Sequence, residues 1–145
     1  MKTTRTIIAF AAAAALLAGC KNEKTEMENP FFSEWGTPYE IPDFGRIKAE
    51  HYMPAFVEGM SRQKAEIVAI VDNPEAPTFE NTVLAYEYSG QLLKDVSSVF
   101  FNLSECESND EMDAIAEKVT PMLSKHEDEI ALNAKLFLVL KLIVC

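Results

Sequence analysis

Apolar residues recur at three- and four-residue steps along three long segments of the chain. That spacing places side chains on one face of an α-helix, because the helix makes one turn in about 3.6 residues. We therefore predict an all-α fold of antiparallel helical hairpins, in which each apolar stripe packs against a neighbouring helix. The predicted stripes are Met53, Phe56, Val57, Met60, Ile67, Ile70 and Val71 in the first segment, Phe79, Val83, Tyr86, Leu93, Val96, Phe100 and Leu103 in the second, and Met112, Ile115, Ala116, Val119, Met122, Leu123 and Ile130 in the third.

Capping residues and prolines predict where these helices begin and end. The first helix covers about 49–72 and ends at the proline that follows. The second begins after Thr78, its predicted N-cap, and continues to about residue 103. The third begins with a capping box headed by Ser108, with a glutamate three residues later. A fourth helix is expected to begin at Asn133.

The first 19 residues have the composition of a secretory leader. Two basic residues precede an apolar core at 7–17, which is too short to span a bilayer because spanning requires about 20 apolar residues. The string LAGC at 17–20 resembles the lipobox of bacterial lipoproteins, in which the cysteine receives a lipid. Cys20 is therefore the predicted lipid anchor, and acyl chains on it would hold the protein at a membrane. The alternative is an ordinary secretory leader with a chance cysteine.

This leader sets the predicted domain organisation. We expect a lipoprotein signal peptide at 1–19, a polar tether at 20–29, an extended segment rich in proline and aromatic residues at 30–48, and an incomplete helical region at 49–145. The aromatic side chains of the extended segment are expected to dock on the helices. The protein is accordingly expected in the bacterial cell envelope, anchored through its lipid, and Asn22 favours the outer membrane.

The charge balance excludes one class of partner. With 13 basic and 23 acidic residues, the chain has a net charge of −10 at pH 7. Such a surface repels nucleic acid and anionic lipid, so no nucleic-acid partner is expected. Cys106 and Cys145 have no spacing typical of a disulfide framework or a metal-binding knuckle.

The stretch SKHEDEI, at 124–130, contains half of a zinc-binding motif. Zinc peptidases place two histidines four residues apart on one helical face, with a glutamate after the first as general base, in the pattern HExxH. His126 and Glu127 fit this pattern, but Ile130 stands where the second histidine would be. Because His126 lies beside the third apolar stripe, we favour a buried histidine with one hydrogen-bonded nitrogen. A zinc site built from His51, His126 and a distant carboxylate is the weaker alternative.

Four strings resemble one family of peptidases. In order and register they are similar to the N-terminal helical region of the thimet-oligopeptidase family, and within it to the bacterial peptidyl-dipeptidases and oligopeptidases. The resemblance implies a larger, almost wholly helical zinc metallopeptidase, with a channel that admits short peptides and excludes folded proteins. The strings are EHYMPAFVEGM at 50–60, NPEAPTFENTV at 73–83, VFFNLSECESNDE at 99–111 and LSKHEDEIALNAKLF at 123–137.

The resemblance implies that the catalytic residues are absent from this chain. The family's HExxH and its third ligand, a glutamate, lie beyond the matched region, so we expect no catalytic residue, no metal ligand and no zinc bound by this chain. The functional hypothesis is an N-terminal fragment of a zinc-dependent oligopeptidase or peptidyl-dipeptidase, which releases C-terminal dipeptides from short peptides. The fragment would form a wall of the substrate channel and be inactive alone.

The last eight residues, LVLKLIVC at 138–145, are apolar around most of a helix circumference. They suggest a truncated product that lacks its C-terminal catalytic region, because an uncovered apolar surface usually marks a missing interface. The alternative hypothesis is a complete, free-standing helical lipoprotein that acts as a binding or structural module.

Overall fold

The structure, a computed structural model, describes residues 29–107 and 109–144. The predicted signal peptide, the Cys20 anchor and most of the predicted tether lie outside the described residues. Within the described ranges the fold is all-α and contains no strand, which confirms the predicted class. The elements are two single-turn 3-10 helices at Pro30–Phe32 and Pro38–Glu40, then α1 at Ala49–Val71, a π-helical stretch at Phe79–Leu84, α2 at Ala85–Glu87, α3 at Gln91–Cys106, α4 at Asp110–Ala131 and α5 at Ala134–Val144.

Helix α1 packs against both α3 and α4. The ring of Phe56 meets that of Phe100 edge to face, with centroids 5.5 Å apart, whereas Gly59 lies against Leu93. Higher numbers on α1 therefore pair with lower numbers on α3, so these two helices form an antiparallel hairpin. Gly59 permits the close approach, because a Cβ atom there would lie only 3.0 Å from the Cα atom of Leu93.

Helix α4 runs in the same direction as α1. Gln63 contacts His126, and the next residue, Lys64, contacts Glu129. Residue numbers thus rise together along the two helices. The two ends of the bundle have separate apolar cores. The larger consists of Phe31, Tyr52, Ala55, Phe56, Met60, Leu93, Val96, Val99, Phe100, Met112, Ile115 and Val119, and the smaller of Ile67, Ile70, Ile130 and Leu136.

Most of the predicted stripe residues are buried or half-buried, but three lie at the surface. Val57, Phe79 and Tyr86 are exposed. Phe79 and Tyr86 lie in the segment before α3. Their placement corrects the prediction that they belong to the core.

The second predicted helix is broken rather than continuous. Its predicted N-cap is confirmed, since the Thr78 hydroxyl accepts from the Asn81 N–H at 3.1 Å and the Asn81 side chain accepts from the Thr78 N–H at 2.8 Å. The chain then leaves the helical conformation at 88–90, where Gly90 adopts φ +72°. That left-handed conformation is open to glycine, and the Gly90 N–H is satisfied by the Glu66 carboxylate at 2.7 Å. The apolar spacing continues across the break and so concealed it.

The caps of the last two helices lie in the predicted turns. Helix α4 begins one residue later than predicted, because its N-cap is Asn109, whose side-chain oxygen accepts from the N–H groups of Glu111 and Met112. Ser108 itself lies outside the described residues. Serine and asparagine are both good N-caps, so the pattern could not decide between neighbours. The predicted start of the fourth helix is confirmed, since Asn133 accepts from the Leu136 N–H at 3.1 Å.

The segment before α1 is fixed to the bundle at one end. The Asn29 side chain donates to the carbonyl of His51 at 2.8 Å, and the ring of Phe31 packs edge-on against Trp35 and beside Tyr52. The predicted docking of aromatic side chains is therefore confirmed for Phe31. It is wrong for Tyr39, which is 95% exposed. No helix in the described part of the chain has both the length and the apolar character needed to cross a membrane.

Candidate functional site

His126 lies where α4 faces α1 and the turn before α3. Its side chain is 2% exposed, and its Nε2–H donates to the Gln63 side-chain oxygen at 2.7 Å. The prediction of a buried histidine with one hydrogen-bonded nitrogen is confirmed. The other ring nitrogen, Nδ1, is buried and has no hydrogen-bond partner among the described residues. Buried polar atoms are usually paired, so this nitrogen requires an explanation.

Gln63 connects three elements of the fold. It bonds to His126 on α4, and its side-chain amide occupies the space that a Cβ atom at Gly90 would need. One turn further along α1, Glu66 accepts from the Gly90 N–H. The absence of a side chain at Gly90 thus allows the amide of Gln63 to reach His126 while α1 holds the turn.

Sequence reasoning missed Gln63 and Gly90. Gln63 lies three residues after Met60 and four before Ile67, so it interrupts the apolar stripe of α1. A polar residue at a stripe position predicts a buried polar partner. That signal could have drawn attention to Gln63, although its partner is 63 residues away and could not have been named.

Two lysines and one carboxylate lie beside the histidine. Lys64 Nζ lies 2.5 Å from Glu129, and Lys125 Nζ lies 3.8 Å from the same carboxylate. Burial lowers the pKa of His126 and the charge of Lys64 lowers it further, against the opposing effects of Glu129 and Glu127. The hydrogen bond from Lys64 lowers the pKa of Glu129. The ring is therefore neutral at pH 7, beside a pair of ammonium groups.

The weaker alternative, a zinc site built from His51, His126 and a distant carboxylate, is wrong. His51 belongs to the start of α1, where its Nδ1 accepts from the Lys48 N–H at 3.0 Å. His126 lies beside Gln63, and the twelve residues that separate His51 from Gln63 correspond to about 18 Å along a helix. Across 29–107 and 109–144, no three His, Cys, Asp or Glu side chains are grouped as metal ligands. The acidic run at 127–129 is exposed, as expected for a solvated face.

Two open grooves meet at His126. The larger, of about 590 Å³, lies between α3 and α4 and includes Gln63 and Gly90. The smaller, of about 400 Å³, lies between α1 and α4, and we call it the α1–α4 groove. It combines an apolar surface with the two lysines. Its lining residues are Val57, Met60, Ser61, Lys64, Met122, Lys125, His126 and Glu129.

Similarity to known enzymes covers most of the chain. Dipeptidyl carboxypeptidase of Escherichia coli K12 is 45% identical over 109 residues, which are 75% of this chain and 16% of the enzyme. The chain is homologous to enzymes of the thimet-oligopeptidase family. Dipeptidyl carboxypeptidase of Salmonella typhimurium LT2 matches with the same identity and coverage, and oligopeptidase A of E. coli K12 is 23% identical over 111 residues, 77% of this chain and 16% of the enzyme.

These homologues confirm the predicted family resemblance, although no protein-family model matches the chain. The chain spans only 16% of the length of the curated relatives that it matches. Similarity is therefore established for most of this chain but for only a short part of these peptidases.

Proposed function

We propose that this chain is a helical, non-catalytic segment of a zinc-dependent peptidyl-dipeptidase, an enzyme that releases C-terminal dipeptides from short peptides. The observation that carries the proposal is the 45% identity to dipeptidyl carboxypeptidase over 109 residues. We place the zinc, its ligands and the general base outside the described residues. In the whole enzyme the zinc would polarise the scissile carbonyl and lower the pKa of the attacking water.

The role proposed for this segment is to form a wall of the peptide channel. A wall must be rigid to select substrates by size, and the Gln63–His126 bond together with the two cores supports that rigidity. An enclosed channel excludes folded proteins and bulk water from the reaction site.

Helix α5 supports the presence of a further protein surface. Its inner side is anchored by Leu136 against Ile67 and Ile70. Its other side, which we call the outer face of α5, consists of Phe137, Leu138 and Leu142, which are 64%, 59% and 71% exposed. A helix that is apolar all round is normally buried on both sides. We place the catalytic region of the enzyme against this outer face.

A lipid on Cys20 would attach the enzyme to the bacterial envelope, on the outer membrane. Support comes only from the lipobox at 17–20 and Asn22. Labelling of growing cells with a palmitate analogue tests it: the wild-type chain should carry the label and Cys20→Ser should not. An unlabelled wild-type chain would contradict the anchor without affecting the peptidase proposal.

A chimera tests the peptidase proposal. The matched segment of the E. coli dipeptidyl carboxypeptidase is replaced by the corresponding segment of this chain, and release of a dipeptide from a blocked tetrapeptide is measured by chromatography. The chimera should retain zinc-dependent hydrolysis, whereas this chain alone should show none. Phe100→Asp in the chimera should abolish folding and activity because Phe100 is fully buried, and Phe79→Asp, at an exposed phenylalanine, is the matched control.

Two results would contradict the proposal. One is a folded, zinc-loaded chimera that hydrolyses no peptide, because the segment would then not replace its counterpart. The other is peptide hydrolysis by this chain alone with stoichiometric zinc. A compact monomer of the isolated chain that binds no hydrophobic dye would instead favour a free-standing binding or structural module.

A further inference from the structure

We propose that His126 is an acid-sensitive switch, which on protonation releases α5 and the C-terminal half of α4 from α1 while the larger core stays intact. Three features of the structure support this device: the position of the Gln63–His126 bond between the two cores, the buried Nδ1 atom of His126, and the unequal size of the cores.

The Gln63–His126 bond forms a polar layer between the two apolar cores. On α1, Gln63 lies between Met60 of the larger core and Ile67 of the smaller core. On α4, His126 lies between the residues of the larger core and Ile130 of the smaller core. The layer therefore marks the boundary between two parts of the bundle that are stabilised by separate apolar contacts.

A second proton on the His126 ring would have no acceptor in the folded structure. The neutral ring donates through Nε2–H to Gln63, and its Nδ1 atom is buried without a partner among the described residues. Protonation would turn Nδ1 into a second donor, so the fold would contain a buried N–H without an acceptor and a buried positive charge. Protonation therefore favours a conformation in which water reaches the ring.

The charged groups around His126 do not offset this cost. Glu127 and Glu129 attract a positive ring, but Lys64 repels it. Burial and the charge of Lys64 together lower the pKa of His126, so the ring is neutral in the fold at pH 7. The titratable groups on the elements around the ring are Lys64 on α1, Lys125, Glu127 and Glu129 on α4, Tyr86 on α2 and Lys94 on α3.

The smaller core is the weaker end of the bundle. Among the described residues it contains four buried side chains, whereas the larger core contains twelve. The ion pairs at this end, Lys64–Glu129 and Lys135–Asp72, join exposed side chains and so contribute little. A two-residue turn separates α4 from α5, so both helices would separate from α1 together. Short helices without a packing partner are marginal in water, so the released segment would also lose helical hydrogen bonds.

The switch would change the position of the outer face of α5. This face is proposed above to meet the catalytic region, so release of α5 at acidic pH would loosen that contact. This regulatory consequence rests on the proposed function. The switch itself is a property of the chain alone and is tested there.

Hydrogen–deuterium exchange, measured by mass spectrometry on the purified full chain at about pH 7.5 and about pH 5, tests the switch. Division by the intrinsic exchange rate at each pH gives protection factors that can be compared. Protection across 124–144 should fall by about fivefold to thirtyfold at the lower pH. Thirtyfold is roughly the factor by which proton binding at the ordinary histidine pKa of about 6.5 favours the exposed ring. Protection across 52–60 and 93–100 should change by less than about twofold.

Two variants should remove this pH dependence. His126→Phe removes it because phenylalanine binds no proton, and Gln63→Glu removes it because a carboxylate there would pair with the protonated ring in the fold. His51→Gln is the matched control, since His51 is the other histidine of the chain, is buried, and occupies a capping-box position that glutamine suits. The control should lose protection as the wild type does. Circular dichroism shows whether each variant is folded, and Gln63→Glu decides the test if His126→Phe does not fold.

Three results would overturn the switch. Equal loss of protection in both cores would indicate global unfolding, and unchanged protection across 124–144 would show that nothing is released. Equal losses in the wild type and in the folded variants would assign the acid effect to carboxylates such as Glu129 or Asp72. None of these results depends on whether the chimera described above is active, so failure of the switch is distinguishable from failure of the peptidase proposal.

Discussion

The bond between Gln63 and His126 should be a measurable source of stability. Gln63→Leu keeps nearly the same shape but removes the acceptor for the Nε2–H of His126. Because His126 is 2% exposed, that N–H would remain buried without a partner, at a cost of about 1–3 kcal/mol. Added apolar burial by the leucine offsets part of this cost, since Gln63 is half-buried. We expect a net loss of about 1–2 kcal/mol in the free energy of unfolding.

Urea denaturation, monitored by far-ultraviolet circular dichroism, measures this loss. The urea concentration at the midpoint should fall, while the slope of the unfolding free energy against urea concentration should not change. The double variant Gln63→Leu with His126→Phe should recover most of the stability, because removal of both polar partners leaves no buried group unsatisfied. Gln91→Leu is the matched control, because Gln91 is exposed and its side-chain amide donates to Asp95 in an exposed hydrogen bond. It should change the unfolding free energy by less than about 0.5 kcal/mol.

Comparison of the single and double variants tests whether the unsatisfied N–H of His126 causes the loss of stability. If Gln63→Leu were as stable as the wild type, the buried bond would contribute nothing. If the double variant were as unstable as the sum of its two single variants, the cost would come from lost packing and not from an unsatisfied N–H.

Three further predictions concern the same bundle. Burial lowers the pKa of His126 in the folded protein, so the stability that the neutral ring contributes is complete above the ordinary pKa of 6.5 and is lost as pH falls toward the folded pKa. The wild type should therefore lose more unfolding free energy than His126→Phe between about pH 7.5 and 5. Equal losses in the two proteins would contradict this. Gly90→Ala should destabilise the protein by at least about 1–2 kcal/mol in thermal unfolding, since it places a Cβ at φ +72° against the amide of Gln63. The control Gly36→Ala, at φ +63° in open space, should cost only the backbone strain and therefore less. Equal costs would show that the Gln63 amide moves freely. Replacing Phe137, Leu138 and Leu142 together by serine should reduce the binding of a hydrophobic dye by the isolated chain and its self-association in light scattering, because these side chains form the exposed outer face of α5. Replacing the exposed Tyr39 by serine is the control. An equal effect of the control would refute the outer face of α5 as the sticky surface.

The local pattern was sufficient for α1, α4 and α5 and for most helix ends. Helix α1 follows from its apolar spacing, and the caps at Thr78 and Asn133 follow from side chains that satisfy N–H groups within the same turn. Such effects act over three or four residues, so they can be read from the sequence. The homology to dipeptidyl carboxypeptidase likewise agrees with the strings that suggested the family.

The break at Gly90 shows where this local reasoning ends. Nothing in the apolar spacing marks it, because Leu93, Val96 and Phe100 continue the stripe beyond it. The break depends on an acceptor supplied by Glu66, 24 residues away. Likewise, the pattern placed His126 in the core but could not supply Gln63 as its partner.

The sequence by itself determined that this chain is helical, acidic and homologous to a peptidase segment. Helical periodicity, net charge and similarity depend on which residues occur and in what order, and need no contact between distant residues. Only the tertiary structure decided that Gln63 meets His126 and that two lysines share Glu129. Those outcomes require helices distant in sequence to pack together, and the hydrophobic effect that brings them together depends on the area buried and does not specify which polar groups will meet.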